Sequence, residues 1–247
     1  GPLGSFLEVA GRNGFAVLTI DRPGYGESTL LPEEENTFAR QAAILDEAIG
    51  QATEIWPTSG VVLVGHSIGG MISLEIAARH PSWPLLGVAT SGNGARIPAG
   101  GAAETLGGLP LSGVVDLPVP DRDGVMFGPA GTFSEAALRA AHGSYAPTPF
   151  VELVRAPVWA AERLDEVAGA IDVPVHSVLA EYDALWDSSP EALADYESRF
   201  PGPISVSSMP SAGHSIDHHL VGASLHLQQL AFAHSCAVTS EATAVVA

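Results

Sequence analysis

Short, unbroken apolar runs alternate with longer stretches of helical period along the chain, and each run ends in glycine, proline or a polar turn. Phe15-Ala-Val-Leu-Thr-Ile-Asp21, closed by Arg22-Pro23-Gly24, reads as a buried strand followed by a turn. Apolar positions Phe38, Ala42, Leu45 and Ile49 recur at helical spacing, with Thr37 placed to cap a helix over 37–54. Val61–Val64 is a second buried strand, Ile68–His80 a helix stopped by Pro81, and Leu85–Ala89 a third strand that runs into Ser91-Gly92-Asn93-Gly94. Val173–Ala180 and Ile204–Met209 are further strands, separated by a helix over Pro190–Phe200, and residues 215–235 form a closing helix. Strands with continuous apolar character that alternate with helices predict an α/β fold with a parallel sheet covered on both faces.

Between 93 and 168 this regularity is lost. Residues 93–130 are rich in Gly, Pro and Ala, and 131–168 hold two or three short helical stretches. An irregular segment of that length is expected to be a functional lid. The division expected is therefore a core of 6–92 and 169–237, a lid of 93–168, and a small, polar, frayed tail over 238–247. Gly1-Pro-Leu-Gly-Ser5 reads as the remnant of a cleaved purification tag; the other reading is a native turn that opens a helix.

Composition narrows the function classes. The chain has 247 residues, 46% of them hydrophobic, enough for one large domain with a substantial core. Ten basic residues, all Arg, face twenty-eight acidic ones for a net charge of -18, which argues against nucleic acid and against anionic partners. No apolar run is long enough to span a bilayer, and no secretory leader is visible, so a cytoplasmic location is expected. The single cysteine, Cys236, excludes an internal disulfide. The oligomeric state is left open.

Candidate chemistry centres on Gly65-His66-Ser67-Ile68-Gly69-Gly70, between a strand and a helix. G-x-S-x-G in that context is a nucleophile elbow, whose sharp turn lifts the serine hydroxyl above the sheet edge. Gly65 and Gly69 are expected to relieve crowding between strand and helix, and the serine to sit in a strained conformation. A serine needs a base, and the base needs an orienting group. His214, in Ser-Ala-Gly-His-Ser after the last strand, and Asp183, in Ala-Glu-Tyr-Asp after the strand at 173–180, are the candidates. Asp187 and Asp116 are alternative carboxylates. Each triad candidate falls at the C-terminal end of a strand, where the loops of an open sheet converge. The Ile68 N–H is the expected oxyanion donor.

These residues resemble the α/β-hydrolase superfamily over Phe6 to about His234, in the order Ser67, Asp183, His214. Asp21-Arg-Pro-Gly-Tyr-Gly-Glu-Ser28 is similar to the superfamily's Asp-x-x-Gly-x-Gly-x-Ser segment. The resemblance implies a serine hydrolase core with a lid before the aspartate, of the esterase and lactonase kind. Serine at the elbow argues against the epoxide hydrolase and dehalogenase branches, which attack with a carboxylate. It also implies a strand ending in His-Gly, whose turn gives the second oxyanion N–H. Nothing in residues 1–14 reads as that strand, so it is expected to be missing from this chain.

Other residues carry two readings each. His66, Met126, Phe127, Tyr145, Trp159 and Trp186 line an apolar substrate pocket or pack lid against core. Arg22 is a structural anchor or an anion clamp. Asp217, His218 and His219 resemble a metal cluster, but adjacent residues point to different faces, and neither metal nor cofactor is expected. The expected function is hydrolysis of an ester, lactone or related acyl bond of a small, largely apolar molecule. The alternatives are an acyl transferase, lyase or cyclase on the same fold, or a ligand-binding relative without turnover.

Overall fold

The computed structural model describes residues 5–98 and 113–246, with residues 241–246 described by their backbone alone. Four of its strands, β1 (Val61–His66), β2 (Leu85–Ser91), β5 (Val175–Tyr182) and β6 (Ile204–Gly213), form a parallel sheet in the order β1-β2-β5-β6. The chain therefore crosses the sheet in one direction, and the loops after all four strands open at the same edge. A two-residue antiparallel pair, β3 (Val114–Val115) with β4 (Thr148–Pro149), lies inside the predicted lid.

Helices cover both faces, as continuous apolar strands require. On one face α2 (Phe38–Ile55) and α3 (Ile68–Ala78) pack with α8 (Pro190–Ser198) around Met71, Leu74, Val88, Leu179 and Tyr196. Thr37 caps α2 by accepting the Arg40 N–H. On the other face Val178, Ala180 and Met209 meet Leu225 of α9 (Gly222–Val246). Helix α1 (Phe6–Arg12) lies on α9 through Val9, Ala10 and Leu230, and Ser5 and Glu8 close a reciprocal capping box at its start.

Three sequence expectations change. Residues 15–21 form no strand; they have no ladder to any described strand, and Leu18 is 53% exposed. An apolar run specifies burial only when a neighbouring backbone offers N–H and C=O groups. Val61–Val64 extends to His66 but is not fully buried, because β1 ends the described sheet and Val64 is 41% exposed. The tail expected to fray is helical as far as Val246, since no Gly or Pro follows Gly222 to break it.

The segment 93–168 is only partly separate from the core. Residues 99–112 of it lie outside the described residues. The rest holds α4 (Val119–Met126), α5 (Glu135–Ser144), α6 (Phe150–Glu162) and α7 (Leu164–Ala170). Trp159, Ala160, Leu164, Val167 and Ala168 join the main core, and Trp159 Nε1 donates to Glu75 Oε1 at 2.7 Å. The start of α6 is anchored differently, by the buried Glu152. Its carboxylate accepts from Gln41 Nε2 (2.6 Å) and the Tyr25 hydroxyl (2.9 Å) and pairs with the Arg22 guanidinium (3.3 Å). Arg22 also donates to Gln41 Oε1 at 2.7 Å. The cation is thus held inside a structural network that joins the 21–28 turn, α2 and α6.

Removal of one partner from a buried ion pair leaves the other uncompensated, at a cost of roughly 3–5 kcal/mol. Glu152→Ala is expected to destabilise the fold by about 3 kcal/mol, because Arg22 retains some solvent. Urea unfolding at neutral pH measures this. A midpoint equal to that of the parent protein would show that the network adds nothing.

Candidate active site

Ser67 occupies the single step between β1 and α3, with φ 52° and ψ -125°. That conformation is strained for a side-chain-bearing residue and turns the hydroxyl out above the sheet edge. Gly65 permits it, since a Cβ there would lie 2.4 Å from the Gly69 carbonyl oxygen. Gly69 itself has open space around its Cβ direction. The second crowded position is Gly70, whose Cβ would stand 2.8 Å from Asn93 Oδ1. The expected pair of space-saving glycines is therefore corrected to Gly65 with Gly70. Ile68 opens α3, where the first N–H groups of a helix have no acceptor within it and present partial positive charge.

Two strands away, Asp183 follows β5. Its carboxylate accepts the Leu185 N–H (2.9 Å) and the Trp186 N–H (3.2 Å) in a tight turn, and both oxygens face His214 Nδ1, at 3.1 and 2.9 Å. A carboxylate only accepts, so Nδ1 carries the proton and Nε2 of the neutral ring is an acceptor. That Nε2 lies 2.9 Å from Ser67 Oγ. Asp183 and His214 are both buried. Burial pushes the Asp183 carboxyl upward, but His214 and the two backbone donors outweigh it and hold the pKa below the usual carboxylate value.

His214 begins three strands from Ser67, roughly 14 Å at the usual inter-strand spacing. A bulge closes part of that gap. Between the pairs Ala180↔Met209 and Tyr182↔Gly213, β5 advances two residues and β6 four. Ser211 takes φ 56° within the bulge, and its N–H donates to Glu181 Oε2 at 2.7 Å. Such an irregularity bends a strand and re-aims the residues beyond it. The imidazole then passes over the end of β2, where Gly92 leaves room. A Cβ on Gly92 would lie 3.0 Å from His214 Cε1 and 2.7 Å from His66 Cε1.

The other predicted residues are dispersed. His66 lies beside His214, with ring centroids 4.9 Å apart, and its Nδ1 is 3.0 Å from Ser91 Oγ. Desolvation and then the nearby His214 lower the His66 pKa to about 4, although the residue as a whole is exposed. Met126 and Phe127 end α4 and touch the loop that bears His214; the Met126 carbonyl accepts the Ser215 N–H at 2.9 Å. Tyr145 belongs to a cluster within segment 93–168, where it donates to Asp123 at 2.7 Å and stacks under Arg122. The side chains of Trp159 and Trp186 lie in the main core cluster. Of the alternative carboxylates, Asp187 accepts the Ser189 N–H and Asp116 pairs with Arg122. Asp217 binds His218 on the surface, whereas His219 turns inward and is fully buried. Sequence reasoning passed over Gly92, Gly213 and the inward role of His219; the placement of glycines directly after a strand and before a histidine was the available signal.

A chain of acceptor and donor from a strained serine hydroxyl through a neutral imidazole to a buried carboxylate is able to draw a proton from the hydroxyl. The fold and family agree with the comparisons. The sequence profile of the alpha/beta hydrolase family matches residues 2–224, and the chain belongs to that family. Among solved structures, a monoacylglycerol lipase of Paleococcus ferrophilus superimposes with a TM-score of 0.66 at 18% identity, over 96% of this chain and 89% of that one. A thermophilic esterase gives 0.59 at 19% identity, over 87% and 79% of the two chains. An N-acyl homoserine lactonase with N-butanoyl homoserine bound gives 0.54 at 18% identity, over 87% and 77%. No curated protein matches the sequence significantly. Among the described residues, no helix is long and apolar enough to cross a membrane.

The crowding around the two imidazoles and the burial of several histidines each lead to a measurable outcome. Gly92→Ala combines a positive φ with a methyl group aimed at both imidazoles, and is expected to displace His214 from Ser67; a crystal structure of the variant with the 2.9 Å contact retained would contradict this. The pKa values of His66, His219 and His226 are all lowered by desolvation from 6.5, so the unfolded chain takes up these protons before the folded one. Stability is therefore full above about pH 6.5 and falls as the pH drops toward the lowered values. Urea midpoints across that range should decline with acidity, whereas a flat profile down to about pH 5 would contradict the assignment.

Proposed function

We propose that this protein is a serine hydrolase that cleaves an ester, lactone or related acyl bond of a small, largely apolar molecule. Ser67 Oγ attacks the carbonyl carbon while His214 Nε2 takes the hydroxyl proton. Asp183 holds the imidazole in the tautomer that presents Nε2 and stabilises the imidazolium that forms. The Ile68 N–H, at the positive end of α3, donates to the oxyanion. His214 returns its proton to the leaving oxygen, and water, activated by the same imidazole, releases the acid from the acyl-enzyme.

The observation that carries this reading is the unbroken hydrogen-bonded path from Ser67 to Asp183, with the serine held at a positive φ. Strain of that kind persists where the surrounding structure fixes it, and it clusters at reactive sites. A neutral or weakly charged substrate suits a chain of net charge -18. Relatives of similar fold with lipase, esterase and lactonase names are consistent with an acyl substrate.

The test is reaction with a fluorophosphonate probe and turnover of short p-nitrophenyl esters. Wild-type protein should label and Ser67→Ala should not. Asp183→Asn, which leaves the imidazole in the wrong tautomer, should lower kcat by a factor on the order of 10⁴, the loss known for the equivalent change in a serine protease. A wild type that neither labels nor turns over would overturn the reading, and a labelled enzyme whose acyl group passes to an alcohol or closes to a ring would move it to acyl transfer.

A further inference from the structure

The backbone on both sides of His214 is held by His219, which also meets segment 126–133. Its Nδ1 lies 2.9 Å from the Ser215 carbonyl, which only accepts, so Nδ1 carries the proton. Its Nε2 faces two backbone N–H groups, those of Gly213 at 2.9 Å and Gly128 at 3.0 Å, which only donate. The surroundings thus leave one protonation state, neutral with Nε2 as a shared acceptor. The ring is fully buried, between Phe127 and Phe133 of the lid with centroids at 5.5 and 5.7 Å.

Two of these contacts are to the chain neighbours of His214. Gly213 precedes it and Ser215 follows it, and the Ser215 N–H in turn donates to the Met126 carbonyl. Gly213 also packs against the lid backbone so closely that a Cβ there would lie 2.3 Å from Gly128 N. Leu220 N–H donates to the Thr132 carbonyl at 2.9 Å, and Phe133 bridges to His219. Residues 126–133 therefore seat against 213–220, with one imidazole shared between the two segments.

We propose that His219 is a positioning residue for the reaction: by accepting the Gly213 and Gly128 N–H groups on one nitrogen, it couples docking of the lid to the orientation of His214. The inference rests on the hydrolase reading of Ser67 and His214. Loss of the acceptor leaves the buried Gly213 N–H and the half-buried Gly128 N–H unpaired and frees the peptide before His214. A misplacement of about 1 Å at a reacting group costs on the order of 10²-fold in rate.

The experiment compares His219→Leu and His219→Gln, well below their unfolding temperatures, in p-nitrophenyl butyrate turnover and in histidine nitrogen NMR. Glutamine offers an amide oxygen near the position of Nε2, whereas leucine offers none. His219→Leu should lose kcat on the order of 10²-fold with KM changed far less, and should lose the low-field Nδ1–H resonance of His214. His219→Gln should recover most of kcat and retain that resonance. Equal losses in the two variants, or a folded leucine variant with parental kcat, would overturn the proposal. If the leucine variant does not fold, the parental spectrum decides, because a His219 that carries its proton on Nε2 contradicts the shared acceptor. A parent without esterase activity or probe labelling would remove the hydrolase reading, while the resonances of His219 and His214 would still report whether the two are coupled.

Discussion

The hydrogen bond between His214 and Ser67 is the contact on which the rest of the site depends, because the sheet holds its two partners apart. Parallel topology delivers Ser67 after β1 and His214 after β6, with β2 and β5 between them. No regular continuation of β6 reaches back across that distance. The chain solves this with a bulge and a positive φ at Ser211 and with an absent side chain at Gly92, under the path of the imidazole. Asp183, after the intervening strand β5, stands where the ring passes and accepts from it. The strand that bears the carboxylate thus lies between those that bear Ser67 and His214.

The same geometry ties segment 126–133 to the loop that carries His214. A loop that has been bent back over a sheet edge has few partners of its own, and its polar backbone must be satisfied from above. Segment 126–133 supplies backbone partners through the Met126 and Thr132 carbonyls, and its Gly128 N–H donates to the His219 ring. At its far end the lid is tied down by Glu152 and by Trp159, one through a buried ionic network and the other through the core. Segment 93–168 is therefore continuous with both the hydrophobic core and the loop that carries His214.

What the sequence made legible were the features that local spacing determines. The step from β1 through Ser67 to α3 requires glycine for reasons confined to a few residues, and the order Ser67, Asp183, His214 reflects strand ends that hydrophobic runs mark well. Features that depend on what lies across a gap were not legible. The run at 15–21 announced apolarity but not the absence of a partner ladder among the described residues. The choice between Gly69 and Gly70 depended on Asn93, twenty-odd residues away. Trp159 reads equally well as pocket or core until Glu75 is seen to accept from its indole. Small polar residues at the end of the last helix suggest fraying, but none of them breaks a helix.

His219 shows the limit most clearly. Beside Asp217 and His218 it resembles a metal cluster by residue type, a reading that the different faces of adjacent residues already argue against. Only the directions of its neighbours' hydrogen bonds separate it from them: the Ser215 carbonyl can only accept and the Gly128 and Gly213 N–H groups can only donate. A ring with one proton satisfies all three; a ring with two would set a donor against two donors, and a metal would have to displace both N–H groups. The chemistry available to a histidine here is thus decided by the backbone groups that surround it. This is also why two histidines five residues apart take opposite parts, one with its Nε2 open to a serine and the other with its Nε2 closed by the chain that holds the first in place.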